Sequence, residues 1–216
     1  MLNKKKKQKL DAPVRRGALR LAAVGMESEF AVVVDGRPTR PESLFHSPRD
    51  FIREPLVHRI GTSYHLPTGG AVYFDTGVIE VATPVIEIER GCAARAGRSL
   101  WEAILFVRRE LDAWEARAAR SLRLVGFSTH YNVSFDVPLR PGPRRRIEEL
   151  ALLAAYVVPV PVMLLAANRR STGVGVRPRG DRIEVTVDFT PVPELMIATG
   201  TFLVAALRGL MTWPSW

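Results

Sequence analysis

Apolar and polar side chains alternate strictly in the segment RIEVTVDF, residues 182–189. Side-chain direction in a strand alternates with a period of two, so Ile183, Val185, Val187 and Phe189 share one face. The pattern predicts a strand with an apolar face for a core and a polar face that carries one arginine and two carboxylates. Similar patterns predict three further strands, and the four together cover residues 22–34, 70–83, 122–135 and 173–189.

Apolar residues at spacings of three and four predict helices between these strands. The clearest helix is predicted over residues 90–120, a weaker one over 48–60, and two very apolar ones near 144–167 and 192–211. Strands with one polar face need apolar helices to cover the other. The sequence therefore predicts the α+β class, with an antiparallel β-sheet, helices packed on one face and a polar face opposite.

The apolar run LALLAAYVVPVPVMLLAA, residues 150–167, has the length of a transmembrane segment. Pro159 and Pro161 interrupt its middle, and the next apolar stretch contains Arg208. The flanking amphipathic strands also require an apolar cover. We interpret the run as a core helix and expect no transmembrane span.

A net charge of +9 is typical of a protein that binds nucleic acid, but the positive charges are concentrated in one segment. Residues 1–20 contain eight basic residues and one acidic residue, so they account for seven of the nine positive charges. We expect this segment to be a basic disordered tail without a specific nucleic-acid partner. The single cysteine allows no internal disulfide and no secretory signal is visible, which predicts a cytoplasmic location.

Polar residues that share a strand face recur on three of the predicted strands. They are Glu27 and Glu29, then His130, Asn132 and Ser134, then Arg182, Glu184 and Asp188. Crowded carboxylates repel one another unless cations neutralise them, and hard oxygen ligands suit Mg²⁺ or Mn²⁺ bound with phosphates. The polar face is therefore either a metal–nucleotide surface or the ordinary solvent-facing side of an antiparallel sheet.

Asp75 and Glu80 lie five residues apart, so in one regular strand over 70–83 they would point to opposite faces. Gly77 lies between them. A bulge at this glycine would shift the alternation by one residue and bring both carboxylates to the same side. Without a bulge, Glu80 would face the helices.

The order of these motifs resembles the glutamine-synthetase-like superfamily of carboxylate–amine ligases over residues 22–210. GMESEF and VIEVATP are similar to the G-x-E-x-E-F and IELATP motifs of the bacterial glutamate–cysteine ligase type, and GFSTHYNVSFDVP is similar to its histidine strand. The segment that begins NRRSTG and contains RIEVT is similar to the glutamine synthetase segment N-R-S … R-I-E-V-R. GGAVYFDTGVIEVATP also resembles the prokaryotic ubiquitin-like protein ligase and its depupylase relatives, in which an aspartate on this strand is catalytic.

The resemblance implies an ATP- and Mg²⁺-dependent (or Mn²⁺-dependent) enzyme that joins a small-molecule or peptide carboxylate to an amine through an acyl phosphate. Its glutamine-synthetase-like catalytic domain would cover residues 21–216. By position, the implied roles are metal binding by Glu27, Glu29, Glu80 and Glu184, cofactor binding by His130, Asn132, Arg177 and Arg179, and catalysis by Asp75 and Arg182. The match of Asp75 is to the depupylase branch only.

Two departures from the family pattern leave alternatives open. Thr186 stands where R-I-E-V-R has an arginine for a substrate carboxylate or the transferring phosphate, and full-length relatives are longer. We therefore expect a partial domain completed by a homo-oligomer or a second subunit. The alternatives are a depupylase-like amidase that uses the same nucleotide site, and a shortened relative that binds a nucleotide or a partner without turnover.

Overall fold

The structure is a computed structural model that describes residues 20–55, 57–136, 143–168, 171 and 173–212, with side chains of residues 143–145 excepted. The predicted basic tail lies outside these residues except for Arg20. The strands are β1 Arg20–Val34, β2 Arg37–Thr39, β3 His58–Ile60, β4 Ser63–His65, β5 Ala71–Asp75, β6 Val78–Ala82, β7 Ile86–Glu87, β8 Leu122–Asp136, β9 Gly175–Pro178 and β10 Arg182–Asp188. The helices are α1 Pro41–Leu44, α2 Cys92–Ala118, α3 Pro143–Val157, α4 Pro159–Ala166 and α5 Pro193–Met211.

The described strands form one antiparallel sheet in the order β3-β4-β5-β6-β1-β8-β10-β9, with β2 and β7 also paired to β1. Its centre is the pair β1 and β8, each of 15 residues, which run together from Arg20 opposite Asp136 to Val34 opposite Leu122. The antiparallel sheet with helices agrees with the predicted class.

The core lies between the sheet and the helices. Val24, Met26 and Phe30 of β1 are buried, whereas Glu27 and Glu29 between them are only partly buried. The apolar stripe of α2 is buried in the same cluster, and α2 contacts β1, β6 and α5. Alternation along β1 therefore follows the expected division between core and polar sides.

Two segments that were each predicted to form one strand form hairpins, and one predicted helix is absent from the described residues. The segment 70–83 forms β5 and β6, and the segment 173–189 forms β9 and β10. The helix predicted over 48–60 is wrong, because this segment contains a 3-10 turn at Pro48–Asp50 and then β3. The successive residues Phe51 and Ile52 are both fully buried. The chain enters the core at this point and does not continue as a helix.

The apolar run near 144–167 forms two helices that meet at 59°. The break precedes Pro159, which has no amide hydrogen to continue the helical hydrogen bonds and whose ring crowds the preceding turn. The bent pair and α5 are long and apolar enough to cross a membrane by composition, but a core helix passes the same test. Met196, Leu203 and Leu207 of α5 are fully buried, so the structure gives no evidence of a transmembrane span.

The exposed large apolar side chains of the helices are concentrated on α3 and α4 and not on α5. They include Leu152, Tyr156, Val160 and Leu164. Exposed apolar side chains on neighbouring helices favour association with another chain. The homo-oligomer or second subunit remains a prediction.

Candidate functional site

A cleft of about 1050 Å³ lies over the polar side of the sheet. It brings together nine of the ten residues predicted for the site: Glu27, Glu29, Asp75, Glu80, His130, Arg177, Arg179, Arg182 and Glu184. The tenth, Asn132, donates a hydrogen bond from Nδ2 to Glu27 Oε2 at 3.2 Å. The chain thus gathers side chains from β1, β5, β6, β8, β9, β10 and the β9–β10 turn into one region.

A tight turn places Asp75 and Glu80 on the same side of the sheet. Asp75 pairs with Val78, and Tyr73 pairs with Glu80 directly across the hairpin. Thr76 and Gly77 between the strands have φ values of 47° and 101°, the left-handed conformations that a two-residue hairpin turn requires. The structure contains neither a bulge at Gly77 nor a Glu80 that faces the helices, because a chain reversal brings the two carboxylates together.

Four carboxylates and one histidine form two overlapping groups of possible metal ligands. The ligand atoms of Glu27, Glu80 and His130 all lie within 4.8 Å of one another, and so do those of Glu29, Asp75 and Glu80. Cross-strand pairing produces this arrangement, since Glu29 lies opposite Glu80 and Glu27 lies opposite His130. Glu80 is the residue common to both groups.

Crowding and burial shift the pKa values of these groups. Burial, followed by the negative charge of Glu27, raises the pKa of Glu80 to about 7. Burial acts to lower the pKa of His130, but the nearby carboxylates of Glu27 and Glu29 raise it above the ordinary value. Burial acts to raise the pKa of Glu27, but His130 and Asn132 lower it overall. The cluster therefore retains a proton on Glu80 near neutral pH unless another cation compensates the charge.

Arginines surround Glu184 on the β9–β10 side of the cleft. Glu184 is 3% exposed, forms an ion pair with Arg177, and accepts a hydrogen bond from Arg179 Nε at 3.0 Å. Arg182 Nε donates to Asn132 Oδ1 at 2.9 Å, so it is connected through Asn132 to Glu27. Glu184 belongs to neither group of possible metal ligands among the described residues.

The structure adds site residues that the sequence analysis did not single out. The Ser128 hydroxyl donates to Glu29 Oε2 and lies 3.2 Å from His130 Nε2. The Tyr73 hydroxyl interacts with Glu80, and its pKa is raised by burial and by the charges of Glu27 and Glu80. Both had a signal in the sequence, because Ser128 shares its strand alternation with His130 and Tyr73 shares it with Asp75.

Replacing Glu80 with glutamine should change how stability depends on pH in the metal-free protein. The folded-state pKa of about 7 lies above the ordinary value of 4.5, so the folded chain holds this proton more tightly than the unfolded chain. The Glu80 contribution to stability is complete below about pH 4.5 and is lost as the pH rises through 7. Urea unfolding with a chelator should show Glu80→Gln gaining on the order of 2 kcal/mol over wild type between pH 4.5 and pH 8. An unchanged difference across this range would contradict the assigned pKa.

Comparison with known proteins supports the fold and does not show the activity. No protein-family model matches the chain, and no curated protein matches it significantly. The fold is similar to a chain in the crystal structure of the complex between the prokaryotic ubiquitin-like protein Pup and its ligase PafA, with a TM-score of 0.52 and 14% sequence identity. The similarity covers 88% of this chain and 46% of the matched chain, so this chain spans less than half the length of that protein. The similarity shows that this chain shares the fold of the matched region and does not single out the glutamate–cysteine ligase type.

Proposed function

We propose that this chain is a Mg²⁺- and ATP-dependent carboxylate–amine ligase-like protein that forms an amide bond at the cleft. The observation that carries the proposal is the position of Glu80, which belongs to both ligand groups in a fold similar to that of a ligase complex. Carboxylate oxygens within 4.8 Å of one another are the donor set that a hard divalent cation prefers. Glu27, Glu29 and Glu80 would hold Mg²⁺ or Mn²⁺.

Bound Mg²⁺ would neutralise phosphate oxygens and orient the nucleotide. The arginines Arg177, Arg179 and Arg182 supply positive charge on the β9–β10 side of the cleft, where guanidinium groups suit phosphate or carboxylate oxygens. Glu184 holds two of these arginines, which favours a positioning role for this glutamate over direct metal binding. His130, between Glu27 and Glu29 at 3.7 Å from each, would remain protonated to higher pH than an ordinary histidine.

The missing arginine at position 186 has a structural counterpart on the neighbouring strand. Arg177 Nη2 donates to Thr186 Oγ1 at 3.1 Å and also pairs with Glu184. A guanidinium group therefore reaches position 186 from β9. We propose that Arg177 provides the cation for a substrate carboxylate or for the transferring phosphate, without an arginine from another subunit.

A depupylase-like amidase is the second candidate, and the position of Asp75 favours it. Asp75 is exposed in the cleft, lies in the ligand group with Glu29 and Glu80, and forms no ion pair with a described basic residue. In this alternative its carboxylate would activate attack on an amide at the same nucleotide site. Loss of amide hydrolysis in Asp75→Asn, with no amide formation by the wild type, would favour the amidase.

Isothermal titration of the full chain with ATP should show binding that requires Mg²⁺. Glu27→Gln should weaken Mg²⁺-dependent binding at least about tenfold, because it removes one ligand charge without changing the size of the side chain. Glu102→Gln, on the exposed side of α2, is the matched control and should bind like wild type. Absence of Mg-ATP binding at millimolar concentrations, or equal binding by Glu27→Gln, would overturn the proposal.

A further inference from the structure

Phe127 is the extra residue of a β-bulge in β8. The pairing passes from Ser128 opposite Glu29 to Gly126 opposite Phe30, so Phe127 has no partner on β1. The bulge reverses the alternation of the strand: Leu122 faces the core before it, and Thr129 is buried after it. A regular strand would place Phe127 on the core side with Thr129. The bulge instead leaves it 64% exposed at the cleft.

The surrounding packing holds this bulge in place. The Phe127 carbonyl accepts a hydrogen bond from Phe189 N at 3.3 Å. A Cβ atom at Gly126 would lie 2.0 Å from the Phe189 ring, so only glycine fits there without movement. The Phe189 ring in turn packs edge-on against Phe30 with centroids 4.9 Å apart. Phe127 is thus an exposed aromatic side chain on a well-anchored backbone.

The part of the cleft near Phe127 is apolar and acidic, unlike the part that contains Arg177, Arg179 and Arg182. Val125, 38% exposed, and Val174 line it together with Phe127. Asp188 also lines it, lies opposite Ser128 across the β8–β10 pairing, and is 8% exposed. Its Oδ2 atom accepts a hydrogen bond from Asn168 N at 2.8 Å, and no basic side chain in the described chain forms an ion pair with it. An apolar surface beside an acidic group is complementary to an organic ammonium ion with an apolar body.

We propose that Val125, Phe127, Val174 and Asp188, which we call the Phe127 platform, bind the amine substrate and select amines with an apolar or aromatic body. The aromatic face of Phe127 would contact the body or the cationic nitrogen, and Asp188 would attract the ammonium group. This inference rests on the proposed ligase function for the identity of the bound amine as a substrate. Binding to the platform does not itself require a nucleotide.

Ligand-observed NMR titration of the full chain with 2-phenylethylammonium tests the platform directly. The matched ligands 2-phenylethanol and 3-phenylpropanoate keep the ring and remove or reverse the charge. We expect the ammonium to bind at least about tenfold more tightly than either, and Phe127→Ala to weaken it about tenfold. Asp188→Asn keeps an acceptor for Asn168 N and should reduce ammonium affinity to that of the alcohol.

Leu105→Ala is the control, because Leu105 is 45% exposed on α2 and does not line the cleft. It should bind the ammonium like wild type, and circular dichroism should show that all variants are folded. Three results would each overturn the proposal. They are no ammonium binding at about 10 mM, a concentration at which a weak ligand would bind, equal affinity for 3-phenylpropanoate, and unchanged binding by Phe127→Ala. Ammonium binding without Mg-ATP binding would retain the platform and refute the ligase function, and the reverse result would refute the platform alone.

Discussion

Mg-ATP-dependent hydroxamate formation should fall at least about a hundredfold when Glu80 is replaced with glutamine. Glu80 contributes to both groups of possible metal ligands, so one substitution weakens both. Glutamine preserves an acceptor for Tyr73 and nearly the same volume, which limits the effect on packing. Hydroxylamine serves as a general amine acceptor with a panel of carboxylic acids, and ferric chloride detects the product.

Glu102→Gln is the control for this assay, because it removes an equivalent charge from an exposed position on α2. It should retain wild-type activity with whichever acid the wild type accepts. A Glu80→Gln protein that is folded and as active as wild type would exclude Glu80 from metal binding. It would also remove the main support for the assignment of the cleft.

Gly70→Ala should lower the free energy of unfolding by about 3 kcal/mol. A Cβ atom at this position would lie 2.6 Å from the Ala82 carbonyl oxygen and 3.3 Å from Ala103 Cβ on α2. The first contact is with backbone in a strand that pairs with β1, so it cannot be relieved by a side-chain rotation. Relief requires the start of β5 to shift away from β6, and also away from α2. Urea unfolding monitored by circular dichroism measures the loss.

Gly209→Ala is the matched control for this substitution. Gly209 lies in α5 with no heavy atom within 4 Å of the added Cβ, and alanine favours the helix by up to about 1 kcal/mol. It should therefore be as stable as wild type or slightly more stable. Equal stability of Gly70→Ala and wild type would show that Gly70 does not approach β6 and α2 as closely as the structure indicates.

The central strands could be predicted because their alternation is long and one face is buried. β1 and β8 begin and end close to the predicted limits, and the stripe of α2 is equally regular. Strands β2, β3, β4 and β7 contain two or three residues, too few for a periodic pattern. The helix predicted over 48–60 is wrong because Phe51 and Ile52 are buried by tertiary contacts and not by a helical face.

The site could be predicted where it depends on alternation within a strand and not where it depends on chain reversals. Glu27 and Glu29 share a side, as expected. The pattern over residues 173–189 predicts one strand and therefore no ion pair between Arg177 and Glu184, whereas the hairpin places these two residues opposite each other. Phe127 was missed although the sequence contains a signal, because the apolar positions change from even numbers (Leu122, Leu124) to odd numbers (Tyr131, Val133) on either side of Gly126.

The pairing of β1 with β8 has a consequence for the order in which the protein folds. Ser28 and Thr129, in contact across this pair, are 101 residues apart in the chain. Closing so long a loop costs entropy before it yields contacts, and sheets built from such distant pairs fold slowly. During synthesis, β1 must wait for β8 to leave the ribosome. His130 and Glu27 therefore meet late, and the N-terminal half alone contains only the ligand group of Glu29, Asp75 and Glu80.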